Sequence, residues 1–229
     1  MIEASYKNSE ELPVVLDQSE ADILALMPRM DWDRPPWNRW SFQRIRSLMP
    51  TAQVWRGNEK IVPIPRQEKE ISQIEFTRSN EVSQTIEAFL DDTYTDGFLV
   101  MADGYIVHES YYNGMRPETP HLMQSVSKSI TSTVTGIMIG RGDLDSSALV
   151  KTYIPELAET AWAGATLQHV LDMTTGVQYS EEYTRLDSDV GKTDVASGWR
   201  PIAPDASPDI NWPASVWDQI LSLKTCDAE

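Results

Sequence analysis

Met123-Gln124-Ser125-Val126-Ser127-Lys128-Ser129-Ile130-Thr131-Ser132-Thr133-Val134-Thr135-Gly136-Ile137-Met138-Ile139-Gly140 is the stretch on which the reading of this chain turns. At 100° per residue, Val126, Ile130, Val134, Ile137 and Met138 share a stripe about 120° wide, so residues 125–140 read as one amphipathic helix. Ser125, Lys128, Ser129 and Ser132 form a second stripe on the far side, and Arg141-Gly142-Asp143 ends the pattern. Ser and Thr weaken helix propensity. The hydroxyls at Ser129, Thr131, Ser132 and Thr133 therefore suit a buried helix with one side on a cleft better than an exposed one.

The second stripe contains a Ser-x-x-Lys, Ser125 to Lys128. Residues three apart on a helix share a side, one turn displaced, so the lysine amine reaches the serine hydroxyl. Serine attacks a carbonyl only when something takes its proton, and a neutral amine can do so. Lysine is neutral near pH 7 only where burial or a positive field disfavours the ammonium. A helix N-terminus supplies such a field, and its free N–H groups can hold an oxyanion. The bare pattern is common, roughly one chance match in a chain this long given how frequent both residues are. A second reading therefore stands beside the first: Ser125 as an N-cap and Lys128 as a solvated first-turn residue.

Working outward, Gly97-Phe98-Leu99-Val100-Met101-Ala102-Asp103-Gly104-Tyr105-Ile106-Val107-His108-Glu109-Ser110-Tyr111-Tyr112 predicts a β-hairpin. Two β-rich runs flank Asp-Gly, the pair that tolerates the positive φ of a two-residue turn. Upstream, Trp32, Trp37 and Trp40 surround Pro35-Pro36 in an extended segment expected to wrap a surface by burying its rings. The first thirty residues are acidic and read as surface, while residues 67–89 are polar and partly helical in pattern. Downstream, residues 149–158 and 166–173 read as helices, the second capped by Thr166 and stopped by Gly176. Residues 178–213 are rich in Asp, Ser, Gly and Pro and read as a long structureless stretch, of the kind that lines a site or forms a lid.

The chain has 229 residues, 41% hydrophobic and 24% charged, with mean hydropathy -0.38. That composition supports a globular core and excludes a bilayer-spanning helix, which needs ~20 apolar residues. A formal charge of -16 argues against nucleic acid or an anionic membrane as partner. The first residues lack a basic n-region and an apolar h-region, so no secretory signal is read. Together with a single cysteine, Cys226, this leads us to expect a cytoplasmic protein. His108, His121 and His169 have no metal-ligand spacing, and no metal or other cofactor is expected. His169 reads as a packing or capping residue.

Met123 to Ser129, with Gly140-Arg141-Gly142-Asp143-Leu144-Asp145 behind it, resembles the serine β-lactamase-like superfamily. Tyr153-Ile154-Pro155-Glu156-Leu157 and the run from Gly164 through Thr166-Leu167-Gln168-His169-Val170-Leu171-Asp172-Met173 to Gly176 look like that superfamily's continuation. The nylon-oligomer (6-aminohexanoate-dimer) hydrolase branch is closer still. It matches at Pro36-Trp37-Asn38-Arg39-Trp40, Tyr94-Thr95-Asp96-Gly97-Phe98-Leu99-Val100, Tyr179-Ser180-Glu181-Glu182-Tyr183 and Gly198-Trp199-Arg200. The resemblance implies an α+β fold, an antiparallel sheet with flanking helices and a helical subdomain. Residues 1–34 would be an acidic extension and residues 35–229 the N-terminal portion of the hydrolase domain.

The resemblance further implies a serine hydrolase that cleaves a small amide or ester through an acyl-serine, with Ser125 as nucleophile and Lys128 as base. Tyr183 matches a loop tyrosine that sits over substrate in that branch, with surface packing as the other reading. Asp194 falls in the matching acidic loop, where it faces an amine-bearing substrate or is a solvated charge. The superfamily also uses a Tyr-x-Asn-like motif and a Lys-Thr-Gly- or His-x-Gly-type strand. Neither is found, so the chain is expected to be truncated, to lack the C-terminal strands, and to be impaired alone. The alternatives are a β-lactamase or D-alanyl peptidase, and a non-catalytic fragment or pseudo-enzyme that needs a second polypeptide; homo-oligomerisation is left open.

Overall fold

The computed structural model describes residues 19–35, 37–79 and 82–226. Glu3, Glu10, Glu11 and Asp17 of the acidic stretch, and Pro36 of the proline pair, lie outside the described residues. The chain divides into two compact units, Met1–Leu122 and Met123–Glu229.

In the first unit, helix α1 (Glu20–Leu26) starts where the Ser19 hydroxyl accepts the Asp22 N–H at 3.3 Å, and Ile23 and Met27 are buried. The tryptophan segment packs as expected: Trp32, Trp37 and Trp40 are all buried. It is not extended, however. Residues 31–35 form turns, and α2 (Asn38–Ser41) carries Trp40 inward together with Ser41, whose hydroxyl donates to the Trp32 carbonyl at 2.7 Å. Helix α3 (Ile45–Leu48) follows. Strands β1 (Glu75–Thr77) and β2 (Ser83–Thr85) pair antiparallel and lead into α4 (Ile86–Asp92), where Thr85 Oγ1 accepts the Ala88 N–H at 3.1 Å.

The predicted hairpin is present as β3 (Gly97–Ala102) and β4 (Tyr105–Tyr111), antiparallel, with a register shift between Val100 and Met101. Asp103 and Gly104 turn it at φ 50° and 81°, the paired positive values that a two-residue hairpin turn requires. The far edge of β4 is not bare. Ile106 N–H donates to the Pro65 carbonyl at 2.9 Å and its carbonyl accepts from Gln67 N–H at 2.9 Å, while Lys69 N–H donates to Val107 at 2.8 Å. A parallel segment thus covers that edge and helps to bury Ile106 and Val107.

In the second unit, a 3-10 turn (Gln124–Val126) opens α5 (Ser127–Arg141), which ends on Gly142 at φ 80°. The Gly142 and Asp143 N–H groups bond back to the Ile139 and Met138 carbonyls, a glycine-terminated helix end. Helix α6 (Val150–Tyr153), a 3-10 turn (Pro155–Leu157) and α7 (Leu167–Leu171) come next. Thr166 and His169 cap α7 reciprocally: the His169 N–H reaches Thr166 Oγ1 at 3.1 Å and the Thr166 N–H reaches His169 Nδ1 at 3.3 Å. Val150, Leu157 and Ala165 form the core with Trp162, Ile220 and Leu221 packed on it.

Two expectations are corrected. Residues 178–213 are not structureless, since α8 (Asp189–Ala196) lies within them, capped by Ser188 and packed against α9 (Val216–Ser222). Nor is α5 buried. Val126, Ile130, Val134 and Ile137 are each at least half exposed, and no residue of the helix is buried. Its apolar stripe is real in sequence, but the described core of the second unit forms around α6, not α5. Its hydroxyls turn to the backbone: Thr131, Ser132 and Thr133 donate to carbonyls three or four residues earlier at 2.7–3.1 Å. No described helix is long and apolar enough to cross a membrane.

Gly191 of α8 is fixed by close approach. A Cβ there would stand 2.3 Å from the Leu186 carbonyl oxygen, a backbone atom that cannot swing away. Gly191→Ala is expected to lower stability by roughly 1–3 kcal/mol through overpacking, against the gain a Gly→Ala change gives an ordinary helix site. Urea unfolding of the two proteins checks the sign.

Candidate active site

Lys128 Nζ donates to Ser125 Oγ at 2.9 Å. The local fold explains the reach. Gln124 sits at φ 48° and turns the chain into the 3-10 turn, so Ser125 precedes α5 and Lys128 lies in its first turn. The N-cap position is Val126, which makes no side-chain cap, so the Ser125 hydroxyl is engaged by the amine and not by the helix end. Both side chains are exposed.

Lys128 also lines a cavity of about 480 Å³ within the second unit. Its walls are mainly apolar, with Trp162, Val170, Met173, Val177 and Ile220 among them. Met173 lies at the end of α7 with φ 57° and is strongly exposed. Positive φ in a bulky residue is a locally unfavourable conformation that tends to persist where a site requires it. The polar wall includes Tyr179 and Glu181. The Tyr179 phenol lies 2.7 Å from Thr193 Oγ1, and Thr193 donates at 2.9 Å to Gln219 Oε1, a buried side chain. Burial holds the Tyr179 hydroxyl above the usual tyrosine range, with the Asp189 and Glu181 charges adding to it.

The other two predicted residues stand elsewhere. Tyr183 is 62% exposed and does not line the cavity; its hydroxyl donates to Glu181 Oε2 at 3.4 Å. Desolvation, then the Glu181 charge, raises its pKa. Asp194 lies in α8 and its carboxylate is 3.3 Å from Arg200 Nε, so a guanidinium already faces it. Tyr179, Glu181 and Met173 are among the cavity residues that the sequence reading did not assign. Tyr179 and Glu181 stood in the same family-like run as Tyr183, but nothing local says which side of a loop faces inward. A second cleft of about 500 Å³, lined by Asp189, Lys192, Trp212 and Lys224, includes neither Ser125 nor Lys128. Among the described residues, no group of three or more His, Cys, Asp or Glu side chains could hold a metal.

Residues 82–215 match the beta-lactamase family model. A 6-aminohexanoate-dimer hydrolase of Paenarthrobacter ureafaciens is 36% identical over 176 residues, which is 76% of this chain and 43% of that protein. A solved Bacillus anthracis structure, provisionally assigned as a 6-aminohexanoate-dimer hydrolase, superposes with a TM-score of 0.76 at 24% identity. That match covers 88% of this chain and 52% of the other. The chain thus spans about half the length of the relatives it matches.

Proposed function

This chain belongs to the beta-lactamase family, and from that premise we propose that it carries the nucleophile and base of a serine hydrolase for amides or esters. The observation that carries the reading is the 2.9 Å contact from Lys128 Nζ to Ser125 Oγ beside a mainly apolar cavity. Lys128, as the free amine, takes the Ser125 proton while Oγ attacks the substrate carbonyl carbon. The tetrahedral adduct collapses and expels the amine or alcohol, which receives that proton from Lys128. Water, deprotonated in the same way, then attacks the acyl-serine ester and releases the acid and the free hydroxyl.

The apolar wall suits an aliphatic acyl chain, and Glu181 on the polar wall suits a cationic end. The Paenarthrobacter relative's 6-aminohexanoate dimer has both. Tyr183 and Asp194 enter this reading as residues of the surrounding loop and helix, Tyr183 able to close over substrate from its exposed position. A second reading has its own observation. Ser125, Lys128 and the apolar stripe of α5 are all exposed, whereas a proton-accepting amine needs surroundings that disfavour the ammonium. On that reading these residues hold the serine without completing the site, and a second polypeptide covers the helix.

Intact-mass analysis after treatment with a fluorophosphonate separates the two. A single adduct on the wild type, absent from Ser125→Ala, supports a live nucleophile. No adduct on the wild type from about pH 6 to about pH 9, a range that brackets the ~7–8 to which a lysine base is tuned, rejects it in favour of the second reading.

A further inference from the structure

The buried polar cluster of the first unit lies outside the cavity and takes no part in the chemistry above. Asp96 is its centre. Its Oδ1 accepts from Asn113 Nδ2 at 3.2 Å and stands 3.4 Å from Arg39 Nη2. Its Oδ2 accepts from Gln43 Nε2 at 3.3 Å and faces His121 Nε2 at 3.1 Å. The other ring nitrogen, Nδ1, lies 3.0 Å from the Leu122 carbonyl oxygen. Both partners of the ring are therefore acceptors only, and a neutral imidazole has a single N–H. Only the imidazolium satisfies both.

We infer that His121 is a positioning residue for Ser125, a charged latch that ties the Leu122 carbonyl to Asp96 and so sets how the chain enters the catalytic turn. The inference rests on Ser125 being the nucleophile. Its second support is the sequence between them. Only Leu122, Met123 and Gln124 separate the two residues. The Leu122 N–H is itself held by the Phe42 carbonyl at 2.8 Å, and Gln124 sits at φ 48°. A non-glycine residue in that region persists when its neighbours hold it there.

The groups around the ring are Asp96, with Arg39 behind it from α2, and the uncharged Phe42, Gln43 and Asn113. The hydrogen bond to Asp96, ahead of the opposing desolvation, raises the His121 pKa above its ordinary value, with the Leu122 carbonyl and the Asp96 charge adding to it. Because the folded value is raised, the latch is intact at pH below the unfolded value and is lost as pH climbs through the folded one.

Two measurements on the whole chain test this. His121→Gln keeps a donor for Asp96 but cannot also serve Leu122. At about pH 6, where the imidazolium prevails, its fluorophosphonate labelling is expected to be about fivefold slower than wild type, the loss of one charge-assisted bond; by about pH 9 the two rates converge. In 15N-labelled protein the amide resonances of Gln124 and Ser125 should shift with the titration of the His121 ring, and not in the variant. Equal labelling of the two proteins at the lower pH, or amides blind to the ring, overturns the latch. A wild type that never labels while its Ser125 amide still follows His121 sinks the nucleophile reading alone and leaves the latch standing.

Discussion

Lys128→Met is expected to slow acylation of Ser125 by a p-nitrophenyl ester about a thousandfold, within the range a positioned general base contributes. The side chain is exposed and in the first turn of α5, so the change removes the amine without opening a core. The Ser125 hydroxyl would keep its place and lose the amine that donates to it at 2.9 Å. Lys128→Arg sharpens the result. A guanidinium still donates to Oγ and still carries charge, but it does not give up its proton in a protein. If the arginine variant is as slow as the methionine one, proton acceptance is what Lys128 supplies. If it retains most of the rate, the lysine merely orients the hydroxyl and the mechanism is wrong. The comparison is made by burst kinetics, with circular dichroism confirming that each variant is folded.

The second large effect is on stability. Asp96→Asn should destabilise the first unit by about 3 kcal/mol or more, the scale on which one partner of a buried ion pair is missed. Asp96 and Arg39 expose only 8% and 3% of their side chains, and the carboxylate also accepts from Asn113, Gln43 and His121. An amide in its place can satisfy some donors, yet it takes the carboxylate's charge away from beside a buried guanidinium. Urea unfolding followed by tryptophan fluorescence reads this directly, since Trp32, Trp37 and Trp40 are buried in the same unit. The double variant Asp96→Asn with Arg39→Met should recover part of the loss, because the buried cation facing the amide is gone. A loss below about 1 kcal/mol for the single variant, the worth of a surface pair, would show that water reaches the site.

Local signals account for what was legible. Asp103-Gly104 needs two positive φ angles, and only the hairpin supplies a use for them. Thr166 with His169 satisfies orphan N–H groups at one helix start, whatever lies around it. The three-residue spacing of Ser125 and Lys128 is likewise a property of one helical turn, and their contact follows from it. Family-like runs from Pro36 to Arg200 led to the α+β fold and to the hydrolase class before any coordinate.

What the residues alone could not decide is which surfaces meet. The stripe on α5 states that a cover is wanted and not where one lies, and in the second unit the core gathers instead on Val150, Leu157 and Ala165. Tyr179 lines the cavity while Tyr183 does not, a difference set by how residues 178–188 turn before α8. Arg39, Asp96, Asn113 and His121 lie far apart along the chain and share no period, so their meeting around one carboxylate is a product of the folded first unit. Short-range geometry repeats with the backbone and can be read from spacing; long-range pairing depends on which surfaces exclude water together, and that is settled only when the chain has closed on itself.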